Sequence, residues 1–205
     1  MDTIAADEVR TGVTVARQLA RSRSALARAG IETAAAEASW LLETALQTTA
    51  LKLALDRDRV LTRLELAGIE RLVARRAARE PLQYILGSQE FCGLDFEVSP
   101  AVLIPRPETE LLVEEARQVL TGRNMATIVD LGTGSGCLAI TLASVVPGAT
   151  VYAVDSSISA LVVAERNIDR HSVQGKVTCV LGDLCTPLRS IGLAGRADVI
   201  VSNPP

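Results

Sequence analysis

From Thr127 to Asn203 one pattern recurs: TIVDLG, TVYAVD, VTCVLGD and ADVIVSN are short apolar, β-rich runs, each closing on glycine or a polar residue. Helical stretches lie between the first three, over about 137–146 and 158–170, and a shorter irregular connection precedes the fourth. Apolar strands alternating with helices are the mark of a doubly wound parallel sheet, whose ligand sits beyond the carboxyl ends of the strands. The expectation is therefore an α/β domain with its site among residues 130–136, 155, 183 and 203.

The sequence before this region has a different period. Val15, Leu19 and Leu26 keep helical spacing up to Gly30, and Ile31, Ala35, Ala38, Leu42 and Ala45 mark a second stripe. Thr62 and Glu65 match a capping box, with Leu61 and Leu66 placed as a hydrophobic staple, so a third helix begins there and ends before Pro81. Arg71, Arg75, Arg76 and Arg79 on that helix read as a solvated face, and Trp40 as core. After Pro81 the run FCGLDFEVSPAVLI mixes aromatic and β-branched residues with Gly and Pro, which reads as a hairpin. The division that follows is a helical domain over 1–80, a hairpin linker over 81–107 and an α/β domain over 108–205.

Composition narrows the class. A net charge of −3 argues against binding nucleic acid through the overall field. Cys92, Cys137, Cys179 and Cys185 show no C-x-x-C spacing and His171, the only histidine, has none of them close in sequence, so neither a metal site nor a disulfide framework is expected. His171 reads as a solvated side chain at a helix end, and Cys137 and Cys179 as small buried residues. The opening MDTIAADEVR lacks a secretory profile, and the long uncharged run from Leu131 to Val154 is broken by glycines and Pro147. No membrane contact is expected, and the cytoplasm is the expected compartment.

Asp130-Leu131-Gly132-Thr133-Gly134-Ser135-Gly136 follows the first strand and opens the first helix of the sheet. Glycines there permit a tight turn and let main chain approach a ligand at a helix N-terminus. Alone, the loop suits a dinucleotide site or a plain turn. Asp155, about 20 residues further on at the end of the second strand, is placed to accept both hydroxyls of an adenosine ribose. Together they point to an adenosine-containing cofactor.

Asn203-Pro204-Pro205, at the end of the fourth strand, chooses among such cofactors. An amide nitrogen is a poor nucleophile and must be held in line with an electrophilic methyl group. The Asn203 side-chain oxygen and the Pro204 carbonyl can accept its two N–H groups, with proline φ fixing the carbonyl's direction. Hydride transfer has no use for that triplet; amine or amide methylation does.

Arg79-Glu80-Pro81-Leu82-Gln83-Tyr84-Ile85-Leu86-Gly87, the stretch Phe91 to Phe96, LIPRPETE, VDLGTGSGCLAI and the closing VSNPP resemble the bacterial release factor glutamine methyltransferases along essentially the whole chain. The resemblance implies a helical bundle that helps dock a protein substrate, joined to a Rossmann-like class I domain that uses S-adenosyl-L-methionine. It implies N5-methylation of the glutamine in the Gly-Gly-Gln motif of peptide chain release factors, without a metal or a covalent intermediate. Carried over by position, Gly132, Thr133, Gly134, Ser135 and Gly136 line the cofactor, Asp155 holds its ribose, and Asp183 and Leu184 flank the adenine. Asn203 touches both cofactor and substrate, and Asn203, Pro204 and Pro205 cradle the glutamine amide, with Asn203 and Pro204 as the catalytic pair.

Members of that family continue from Asn-Pro-Pro into a tyrosine and three further strands. The expectation is thus a truncated member holding only the first four strands, with an open outer edge on the fourth and little methyl transfer of its own. Two other readings stand beside it: a nucleic-acid amino methyltransferase of the adenine N6 type, which calls for a basic target-recognition region not visible here, and an inactive remnant that binds cofactor or release factor.

Overall fold

Two units, meeting in the chain between Leu86 and Gly87, make up the computed structural model, which describes residues 10–204. Pro205, and residues 1–9 considered above for a targeting signal, lie outside the described residues.

In the first unit, β1 (Arg10–Thr14) pairs antiparallel with β2 (Val60–Thr62). Between them run α1 (Val15–Arg28), α2 (Ala34–Leu46) and α3 (Ala50–Leu55), and after them come α4 (Arg63–Ala77) and α5 (Leu82–Leu86). Each of α1, α3 and α4 starts where a threonine hydroxyl, on Thr14, Thr49 or Thr62, accepts a main-chain N–H of the first turn. At Thr62 the capping box is complete, because the Glu65 carboxylate also takes the Thr62 N–H at 2.8 Å. Leu26, Leu41, Leu42, Leu61 and Ile69 form the core, each at 0% exposure; of the predicted stripes Val15, Leu26, Ile31, Ala38 and Leu42 are buried, Leu19 and Ala45 are half-buried, and Ala35 is exposed, Ala34 taking the inward position beside it.

Three details differ from the sequence reading. The β1–β2 ladder was not legible in a stretch that reads as helix throughout. Trp40 lies 47% exposed on α2, because Ala38, Leu41 and Leu42 occupy the inward positions beside it. Arg76 is not a solvated charge: its Nε donates to Glu37 Oε2 at 2.5 Å, and Glu37 is 5% exposed. That hydrogen bond holds the Glu37 carboxyl below the usual carboxylate range against the opposing effect of burial.

The second unit opens with the expected hairpin, β3 (Ser88–Phe91) against β4 (Leu94–Glu97), turned by Cys92 and Gly93 at positive φ. A single 3-10 turn, Pro107–Thr109, leads into α6 (Glu110–Val119). Then follow β5 (Ala126–Leu131), α7 (Cys137–Val145), β6 (Ala149–Asp155), α8 (Ile158–Arg170), β7 (Val177–Leu181), α9 (Thr186–Ser190) and β8 (Val199–Ser202). The short α9 fills the connection expected to be irregular. The four strands from β5 to β8 form one parallel sheet in the order β7-β6-β5-β8.

One face of the sheet carries Ile128, Val151, Ala153 and Val201 against α7 and the hairpin residues Phe91 and Phe96. The other holds a smaller cluster of Val129, Leu131, Val154 and Leu188. At the sheet's end β8 has β5 as its one strand neighbour among the described residues, and Ile200 is 53% exposed. Asp198 pins the start of this pair by accepting the Thr127 N–H at 2.8 Å and Arg123 Nη1 at 2.5 Å. His171 ends α8 with its ring 4.9 Å from that of Phe96 and Nε2 at 3.1 Å from the Asp95 carbonyl, so it rests on the hairpin instead of standing in solvent. Among the described residues no helix is long and apolar enough to cross a membrane.

Candidate active site

The carboxyl ends of β5, β6, β7 and β8 lie side by side, as parallel pairing requires, and the described site residues predicted from sequence lie at or just after these ends, Asp155 being the last residue of β6. The Gly132 and Thr133 N–H groups both donate to the Val154 carbonyl at 2.9 Å, folding the loop back over β6. Gly134 follows at φ +55 and its N–H donates to Asp155 Oδ2 at 2.9 Å, while Ser157 N–H donates to Oδ1 at 2.9 Å. Gly136 then starts α7 at φ +80; a Cβ there would stand 3.1 Å from Ile140 Cδ1 and 3.3 Å from Ala164 Cβ, so glycine lets α7 and α8 close together.

Behind the loop two buried polar groups hold its shape. Asp130 Oδ2 accepts the Thr133 hydroxyl at 2.6 Å, and burial, helped by the charge of Asp155, pushes the Asp130 carboxyl up to about 6 despite that bond. Asn167, at 0% exposure on α8, donates through Nδ2 to the Ser135 carbonyl at 2.8 Å and the Glu97 carbonyl at 3.0 Å, and accepts the Glu97 N–H at 2.7 Å. One amide thus ties loop to hairpin.

In front of the loop is a cavity of about 360 Å³, the size range of small-molecule sites. Gly132, Gly134, Asp155, Asp183, Leu184 and Pro204 all line it. Thr133, Ser135 and Gly136 do not; Thr133 and Ser135 are buried and shape the loop from behind. Asn203 is not in the wall either: its Nδ2 donates to Thr109 Oγ1 at 2.8 Å, and the residue after it, Pro204, is the one that lines the cavity. Sequence reading missed Val102, Leu103 and Ser157 in the wall. Ser157 carried a signal, since its hydroxyl caps α8 by accepting the Ala160 N–H, whereas Val102 and Leu103 reach the site from a segment with no strand or helix of its own.

The cysteines are free, and burial pushes the Cys137 thiol up to about 12 and Cys179 to about 11, which suits packing and not nucleophilic work. No cluster of three or more metal-binding side chains occurs among the described residues.

A parallel sheet whose first strand runs into a left-handed glycine loop, faced by a carboxylate on the second, defines a Rossmann-like α/β protein, and residues 107–205 match the methyltransferase small domain family. Residues 18–87 match the PrmC N-terminal domain. A release factor glutamine methyltransferase of Geobacter sulfurreducens is 47% identical over 192 residues, covering 94% of this chain and 65% of its own length. That of Moorella thermoacetica is 42% identical over 200 residues, covering 94% of this chain and 67% of its own. The chain belongs to the release factor glutamine methyltransferase family. It spans from about half to two thirds of the length of the curated relatives it matches. A SAM-dependent methyltransferase of Agrobacterium tumefaciens has a partial structural likeness, with 21% identity and a TM-score of 0.47, covering 58% of this chain and 39% of that one.

Proposed function

We propose that the whole protein transfers a methyl group from S-adenosyl-L-methionine to a glutamine side-chain amide of a peptide chain release factor, the glutamine of its Gly-Gly-Gln motif. The observation that carries the reading is the meeting of three strand ends: the glycine loop, Asp155 and Pro204 line one cavity of nucleoside size, Asn203 being the residue before Pro204.

The residues fit such a cofactor. Asp155 keeps acceptor capacity for ribose hydroxyls beyond the two N–H groups it holds, since a carboxylate has about four lone-pair sites. Leu184, 61% exposed, and Asp183 offer an apolar and a polar edge to the adenine. A Cβ added at Gly132 would stand 3.8 Å from Pro204 Cα, so the glycine loop and Pro204 are near neighbours in the cavity wall. When bound, S-adenosyl-L-methionine would supply an electrophilic methyl group on positively charged sulfur, for which thioether sulfur is the leaving group.

The protein's own part is position. Asn203 Oδ1 and the Pro204 carbonyl accept the substrate's two N–H groups, which fixes the nitrogen and draws electron density toward it as the new bond forms. Pro205 extends the same cradle in this reading. The helical unit serves as the docking surface for the release factor, with the segment over 81–107, which contains the β3–β4 hairpin, as linker and the catalytic domain over 108–205. Because its substrate acts at the ribosome, the protein works in the cytoplasm. Incubating a chain of the relatives' full length with intact release factor and labelled S-adenosylmethionine tests the proposal; label confined to the Gly-Gly-Gln peptide supports it, and label on nucleic acid alone refutes it.

A further inference from the structure

The two ends of a carboxamide have nearly the same size and opposite hydrogen-bonding sense, so an asparagine that must present its oxygen needs its nitrogen occupied. Asn203 leaves β8 directly after Ser202, whose hydroxyl donates to the Leu131 carbonyl at 2.9 Å and so fixes the main chain at that point. Its Nδ2 donates to Thr109 Oγ1 at 2.8 Å, across 94 positions of sequence.

Thr109 is a rigid partner. It is 6% exposed, it closes the 3-10 turn Pro107–Thr109, and its N–H donates to the Arg106 carbonyl at 3.0 Å. The next residue starts α6, which packs against β8 and α7. A β-branched side chain so enclosed has little rotamer freedom. A hydroxyl can accept or donate, so the choice between the two ends is made jointly: a substrate N–H on Oδ1 favours the orientation in which Thr109 takes the Asn203 nitrogen, the one present here.

Resting on the proposed amide methylation, we infer that Thr109 is a positioning residue: by accepting the Asn203 side-chain nitrogen, it holds Oδ1 outward as the acceptor for the substrate amide. The flipped asparagine would set its own NH2 against the substrate's NH2, two donors with no acceptor between them. Thr109 touches neither cofactor nor substrate in this arrangement. Its effect belongs to turnover.

The test uses Thr109→Val, which keeps the shape and removes the acceptor, and Thr109→Ser, which keeps the acceptor, each in a chain of the relatives' full length. With intact release factor as substrate, Thr109→Val lowers kcat about tenfold to a hundredfold and leaves affinity for S-adenosylhomocysteine within about twofold. Thr109→Ser restores most of the turnover. Equal loss in both variants overturns the inference, since packing and not the hydroxyl would then matter, and so does a Thr109→Val enzyme with wild-type kcat. Should the valine variant not fold, proton exchange of the Asn203 side-chain NH2 in the wild type decides: one slowed proton supports the contact, and two fast ones overturn it. A wild-type enzyme that methylates no release factor overturns the functional reading itself, an outcome distinct from a valine variant that works normally.

Discussion

The main-chain N–H of Gly134 donates to the Asp155 carboxylate across 2.9 Å, joining the loop after the first parallel strand to the end of the second. Both walls of the cavity therefore depend on one side chain. Asp155→Ala removes the acceptor for the ribose hydroxyls and for the N–H groups of Gly134 and Ser157 together. Affinity for S-adenosylhomocysteine should fall by about 1–3 kcal/mol, the usual effect of stranding polar groups in a site. Calorimetry on the mutant checks it, and an unchanged dissociation constant removes Asp155 from the cofactor site.

Asp130 makes stability depend on pH. Its carboxyl is pushed from 3.8 up to about 6, chiefly by burial, so the folded state binds a proton that the unfolded chain has already released between those values. The contribution of Asp130 is therefore fullest below the lower value, falls as pH rises through this window, and is absent above it, a difference of roughly 2–3 kcal/mol. Asp130→Asn cannot ionise and still offers an oxygen to the Thr133 hydroxyl. Urea unfolding of both proteins across this range should show the wild type losing stability relative to the variant as pH rises. Parallel curves contradict the assignment.

Asn167 serves three main-chain groups at once, the Glu97 N–H, the Glu97 carbonyl and the Ser135 carbonyl. Asn167→Leu fills the volume and satisfies none of them. The second unit should lose about 2–4 kcal/mol, more than a single hydrogen bond contributes. Thermal melts report it, and a shift near zero would mean that water takes over these groups.

What the sequence disclosed was what lies close together in it. The alternation of apolar runs and helices gave the parallel sheet, Thr62 and Glu65 gave the start of α4, and Cys92-Gly93 gave the hairpin, each through interactions spanning a few residues. Contacts across long separations were silent. Arg10–Thr14 and Val60–Thr62 are short strands, and nothing local says that they pair. Among four arginines on α4, only the packing of α4 on α2 selects Arg76 for Glu37, 39 positions away. The same holds for the site: glycine spacing and Asp155 were legible, whereas Thr109, Val102 and Leu103 enter it only because the fold returns their segment to the ends of β5 and β8.

The account turns on Asn203 as the acceptor that holds an amide nitrogen for methylation. The direct measurement is turnover of Asn203→Ala, in a chain of the relatives' full length, on intact release factor, read by mass spectrometry of the Gly-Gly-Gln peptide beside calorimetry with S-adenosylhomocysteine. The wild type should methylate the glutamine, and the mutant should lose on the order of a hundredfold or more in kcat while keeping most of its cofactor affinity, since the contact matters most in the transition state. Glutamine methylation by the mutant at the wild-type rate would contradict the account.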